Sequence, residues 1–187
     1  MARGRKVNSN GERSKQLLLE KAIELFATHG YHQTKISDIV KAANLTQPTF
    51  YLYFESKDSL FNSLNAEFNE KLMTIFDTED VHTNVSLSDL QTKLEQVLTF
   101  FTQHPLLTKV GFFEAMDAKV VKAAFTEQVK GYVEQFSHVN DAVLLSESLV
   151  GSLERLTYTC LLTGKYDAKQ LADSLLTIYF AQAKQLA

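Results

Sequence analysis

An all-α chain of about nine helices is the fold class this sequence predicts, and three observations predict it. Apolar residues recur at three- and four-residue spacing along almost the whole chain. Seven Gly and two Pro in 187 residues leave little room for a turn-rich β fold. No stretch alternates as a strand does, and there is no internal repeat or low-complexity segment. The length suits one ordinary domain, or a small domain fused to a larger one. With 45% apolar and 22% charged residues, the chain can bury a core without staples.

The elements follow in order. Leu18, Ala22, Leu25 and Phe26 share one face of the first helix, and Gly30 closes it in a left-handed cap. Thr34 is the expected cap of a short helix carrying Ile36, Ile39, Val40 and Ala43. Asn44 breaks the chain, and Leu45 and Thr46 lead into a third short helix. Ser56 caps a long helix through Leu60, Leu64, Phe68, Leu72 and Phe76 to about residue 78, with Asp58 in its first turn. A polar loop over 79–85 separates it from the helix of Leu87, Leu90, Leu94, Val97, Leu98 and Phe101. Pro105 starts a short helix to about Met116. Val121, Phe125, Val129, Tyr132 and Phe136 mark the next. Leu145, Leu149, Leu153, Leu156 and Cys160 mark another, ending near Gly164. Asp167 and Gln170 have capping-box spacing for the last, which carries Leu171, Leu175, Ile178 and Tyr179. Three of these helices, near the front, are expected to be short.

Residues 34–54 have helix-turn-helix logic, two helices crossing steeply through a short turn. Ala43 is small where the second helix must pass, Asn44 can take positive φ, and Leu45 fills the wedge. Thr46 caps the second helix, and Pro48 is tolerated in its first turn. An αα-corner inside a helical core has the same pattern.

Charge adds an asymmetry. Residues 1–57 carry nine Lys/Arg against five acids, a net +4, while residues 58–187 carry −7. A basic front on an acidic body suits a polyanion-binding head, and equally a charged tail on a solvated surface.

From Leu18 to Leu64 the sequence resembles the TetR family of bacterial transcriptional regulators. The resemblance rests on Ala22, Leu25-Phe26, Gly30-Tyr31, Thr34, Asp38-Ile39, Ala43, Thr49-Phe50-Tyr51, Tyr53-Phe54, Ser56-Lys57 and Leu60. Val40 and Asn44 depart from the usual Ala and Gly of the family, and both fit the geometry. The resemblance implies an N-terminal three-helix DNA-binding domain, residues 1–56, and a C-terminal ligand-binding and dimerisation domain, residues 57–187. A recognition helix enters the major groove by its N-terminal residues, here Thr46, Gln47, Pro48 and Thr49, with Tyr51 and Tyr53 further along. Gln47 suits an adenine edge, and Thr49 or Pro48 a thymine methyl. In the family the residues matching Tyr51 and Lys57 contact phosphates, and Thr34, Lys35 and Ser37 would approach the opposite strand. Arg3, Arg5 and Lys6 form a basic tail, read as solvated. Phe50, Phe54 and Tyr31 are read as packing.

In the body, aromatic stripes are usually core, and the adjacent pairs Phe100-Phe101 and Phe112-Phe113 imply a wide apolar face or a cavity. The resemblance puts an effector pocket among these helices, so Phe68, Phe76, Phe100, Phe101, Phe112, Phe113, Phe125, Tyr132 and Tyr158 are candidate lining for a small apolar or aromatic effector. The last two long helices carry more than one apolar stripe, which suggests burial against a partner subunit as well as the body. Leu149, Gly151, Ser152, Leu156, Leu175 and Tyr179 are the candidate contacts of a homodimer.

No nucleophile elbow, phosphate loop, HExxH or paired-Cys motif is present, so no enzyme, metal or cofactor is expected. The lone Cys160 is read as a buried structural thiol in a reducing, cytoplasmic chain. No apolar run approaches the roughly 18 residues of a membrane span. The expected function is a repressor that binds a palindromic DNA operator as a dimer and is released by its effector. The alternative is a DNA organiser or partner-recruiting regulator without a small effector.

Overall fold

The protein was analysed as a computed structural model, which describes residues 6–76, 85–114, 118–136 and 139–180, with backbone alone for 6–10 and 114. Expectations about Arg3, Arg5, residue 78, most of the 79–85 loop and Met116 lie outside the described residues.

Among the described residues there are nine α-helices and no strand. They are α1 (Lys6–His29), α2 (Ile36–Ala42), α3 (Gln47–Tyr51), α4 (Lys57–Thr74), α5 (Leu87–Gln103), α6 (Pro105–Thr108), α7 (Ala118–Val133), α8 (Ala142–Leu156) and α9 (Ala168–Phe180). Two π-helical turns, Lys109–Glu114 and Thr157–Leu161, continue α6 and α8. The first helix is not short. It has 24 residues and begins well before Leu18, where the apolar periodicity starts.

The local signals act as their chemistry requires. Gly30 takes φ 83° and its N–H donates to the Phe26 carbonyl at 2.8 Å. Asn44 takes φ 52°, the one non-glycine residue with positive φ among those described. Ser56 Oγ accepts from the Ser59 N–H, and Asp167 and Gln170 exchange side-chain and backbone bonds across the first turn of α9. Thr34 is not the cap of α2. Lys35 holds that position, and the Asp38 carboxylate accepts its N–H at 3.0 Å.

The chain divides into two compact units. The first holds the chain up to Phe68 together with the segment from Leu106 through the first π turn. Its core is Leu18, Phe26, Ile39, Phe50, Leu60 and Phe68, all fully buried. The π turn joins them closely. A Cβ added at Gly111 would lie 2.5 Å from Phe68 Cγ, and Phe112 packs on the same ring. Lys109 donates to the Ala27 carbonyl near the end of α1, where a cation also suits the helix dipole.

The second unit holds Asn69–Pro105 and the chain from α7 onward. There α5 packs on α9, α7 on α8, and α8 on α9. Phe76 meets Phe125 at 5.6 Å and Tyr132 at 6.2 Å, and Phe136 meets Phe180 at 5.6 Å. The buried Lys93 donates to the Ile75 carbonyl at 2.6 Å, just past the end of α4.

Candidate nucleic-acid interface

The helix-turn-helix is built from α2, a turn at Asn44, and α3. Thr46 is extended (φ −111°, ψ 159°) and its hydroxyl accepts from the Thr49 N–H, while Pro48 occupies the first turn. Phe50 is fully buried and packs edge-on against Tyr51 and obliquely on Phe54. This anchors one side of α3 and turns the other outward. Thr46, Gln47 and Pro48 are exposed, Thr49 is half-buried, and Tyr51 is 56% exposed. Lys35 and Ser37 are exposed at the start of α2.

Leu52 completes this outer surface at 76% exposure, and it was not among the expected contacts. The signal was available: a large aliphatic residue beside Tyr51 that the inward periodicity of Phe50 and Phe54 leaves out.

One expected contact needs correction, and two others also make contacts inside the head. Thr34 is 2% exposed and its hydroxyl donates to the Gly30 carbonyl at 2.9 Å, so its side chain faces inward. Tyr53 is half-buried, with its phenol oxygen 3.4 Å from where a Cβ on Gly11 of α1 would lie. Lys57 donates to the carbonyls of Tyr31 at 2.8 Å and Thr34 at 2.9 Å. Two of its three N–H donors therefore hold the α1–α2 connection in place.

Tyr31 is packed as expected. Its ring lies 4.5 Å from Phe61 and 5.4 Å from Phe26, and its hydroxyl donates to Asp58 Oδ1. Burial, then the hydrogen bond to Asp58 and the charge of that carboxylate, push the phenol up to about 12.

The packing within each unit bears on the pocket and interface expectations. Phe68, Phe76, Phe101, Phe112, Phe125 and Tyr132 are buried, and their rings pack in aromatic clusters of the two cores. Phe113 is half-buried against Phe112. Phe100 borders an open groove of about 450 Å³ between α4 and α5, whose other lining residues include Lys71, Thr92, Glu95 and Gln96. Tyr158 is 54% exposed, so it lines no enclosed space. Leu149 and Leu175, expected at a subunit contact, are 0% and 1% exposed inside their own unit. Leu156, Ser152 and Tyr179 are half-buried, and Gly151 is exposed. The Tyr179 hydroxyl reaches Ser152 Oγ at 2.6 Å and the Ser148 carbonyl at 2.9 Å. The stripe left open is Leu144, Ser148, Gly151 and Arg155 on α8 and Tyr158 in the π turn after it, with Ile178 on α9. Cys160 is half-buried rather than buried. On the surface of α7 Glu127 pairs with Lys130, and Glu134 lies 3.8 Å from the same lysine. No helix among the described residues is long and apolar enough to cross a membrane.

A buried three-helix head presenting a short, capped helix by its polar edge defines a helix-turn-helix DNA-binding protein. Residues 18–64 match the family model described as bacterial regulatory proteins, tetR family. The chain is 34% identical to the uncharacterized HTH-type transcriptional regulator YdgC of Bacillus subtilis (strain 168), over 92% of this chain and 93% of that one. It is 24% identical to the fatty acid metabolism regulator protein of the same organism, over 86% and 91% of the two chains. A TetR-like transcriptional regulator from Rhodococcus sp. RHA1 superposes with a TM-score of 0.75 at 25% identity, covering 91% of this chain and 96% of that one. The chain belongs to the TetR family of bacterial transcriptional regulators.

Proposed function

We propose that this regulator is a cytoplasmic repressor that binds a palindromic operator as a homodimer and is released by a small, largely apolar effector. The DNA half of the reading is carried by the outward edge of α3, where Gln47, Pro48, Tyr51 and Leu52 stand exposed on a helix fixed by the buried Phe50. Gln47 suits bidentate bonding to an adenine edge, and Thr49, Pro48 and Leu52 suit thymine methyls. Tyr51, Lys35, Ser37 and the third N–H of Lys57 suit phosphates, which position the head without reading sequence.

The homodimer is supported by the stripe Leu144, Gly151, Tyr158 and Ile178, apolar or small residues that the chain's own packing leaves exposed. Two heads on one dimer would engage half-sites about 34–36 Å apart, or a multiple of that. The effector must bind the DNA-competent spacing and another spacing with different affinity, or it switches nothing. The apolar core of the second unit supports an apolar ligand, as does likeness over most of the chain to a regulator named for fatty acid metabolism.

Genome-wide mapping of the bound protein, followed by footprinting of the recovered sites, tests the reading. Inverted repeats protected on two successive major-groove faces are expected. Scattered protection without a repeat would favour a DNA organiser instead.

A further inference from the structure

Three buried hydroxyls share one habit. Thr34, Thr126 and Ser146 each donate to the carbonyl four residues back, at 2.7–2.9 Å. Thr157 departs from it. The residue is 0% exposed, and its Oγ1 has no hydrogen-bond partner. It continues the inward stripe of α8, after Leu149, Val150 and Leu153 and before Leu161, all buried. Valine has the same shape and would leave nothing unpaired in that stripe, so packing alone does not account for a hydroxyl there.

The backbone is also unusual at this residue. The Thr157 N–H is shared between the Leu153 and Glu154 carbonyls, and the Leu162 N–H reaches the Thr157 carbonyl at 3.0 Å. That five-residue bond belongs to a π turn, a widened geometry frequent at functional sites. The turn packs against α5, whose Leu94, Val97, Leu98 and Phe101 are fully buried. An orphan hydroxyl thus sits at a widened turn in apolar surroundings.

We infer that Thr157 is the polar anchor of the effector site, its hydroxyl bonding the one neutral polar group, a carbonyl or an alcohol, of an otherwise alkyl ligand. The inference rests on the effector reading above and narrows its ligand class. One hydroxyl satisfies one neutral group, whereas a buried carboxylate needs a cation. Lys122, on the helix packed against α8, is paired with Glu154 at 2.6 Å.

Octanol and octane serve as probes, their affinities for the full-length protein read from depletion of the headspace above it. In Thr157→Val the octanol affinity is expected to fall about fivefold, the worth of one neutral hydrogen bond, with octane unchanged or tighter. Thr157→Ser, which keeps the hydroxyl, retains the octanol affinity. The free Val variant melts no lower than the parent, because no bond is lost. Equal changes for both probes, or a Val variant that melts lower, would overturn the anchor while leaving the effector reading intact. Parent protein that takes up neither probe would overturn both.

Discussion

The ammonium of Lys57 stands 4.2 Å above the centre of the Tyr31 ring while donating to the backbone carbonyl of the same residue. One side chain at the start of α4 thus grips the end of the α1–α2 connection from two directions, and its bond to Thr34 closes the grip. A residue that the family resemblance marks as a phosphate contact is therefore also part of the fold of the head.

Lys57→Ala is expected to lose about 1–3 kcal/mol of stability, as buried acceptors lose a charged donor. If its third N–H also meets a phosphate, the salt dependence of DNA binding falls by about one unit, equally on all sequences. Thermal melting and a salt titration separate the two effects. A variant that melts like the parent contradicts the grip.

Tyr31 gives the head an alkaline limit. An unfolded tyrosine ionises near 10 and the folded one near 12. Between those values the unfolded chain releases its proton first, so stability is full below about pH 10 and falls as pH rises toward 12. Tyr31→Phe should flatten that part of a pH–stability curve. An unchanged slope between the two values would remove Tyr31 as its cause.

Gln47→Ala should cost roughly 1–3 kcal/mol on the favoured operator and little on random DNA, because base contacts carry the sequence. Competition binding on both DNAs checks it. Equal losses would make Gln47 a positioning contact.

On α8, Gly151 has open space where a Cβ would go. Gly151→Ala should therefore stabilise the helix, by about 0.5–1 kcal/mol. Gly151→Leu, or Ile178→Glu on the 71%-exposed Ile178, should instead shift the dimer toward monomer in sedimentation. Leu175→Glu puts a charge into a buried site and should unfold the chain. A dimer unchanged by both surface variants would move the interface elsewhere.

How much of this was legible depended on whether a signal was local. Asn44 at positive φ, Thr46 capping α3 and the Asp167–Gln170 box were readable because each is settled within a few residues. Thr34 was misread because a threonine before a helix can cap forward or bond backward, and only the packing around it selects the second. The acceptors of Lys57 lie 23 and 26 residues away and leave no mark on the local pattern. On α8 large apolar residues fall on both the Leu149 and the Leu144 stripe, so periodicity did not decide which faces inward. The π turns were invisible for a related reason, since the spacing of Leu153, Thr157 and Leu161 is that of an ordinary helix.

Gly111→Ala would bring a Cβ to 2.5 Å from Phe68 Cγ, and overpacking of this kind typically costs about 1–3 kcal/mol. Melting of the variant, set against its DNA affinity, tests whether the segment from Leu106 matters to the head.

That segment also bears on how such regulators can be recombined. A chimaera joined in α4 after Phe68 would part that ring from Gly111 and Phe112. The head of this regulator is therefore not a cassette bounded by a single crossover in α4. A working exchange of this head must transplant two separate stretches of chain at once.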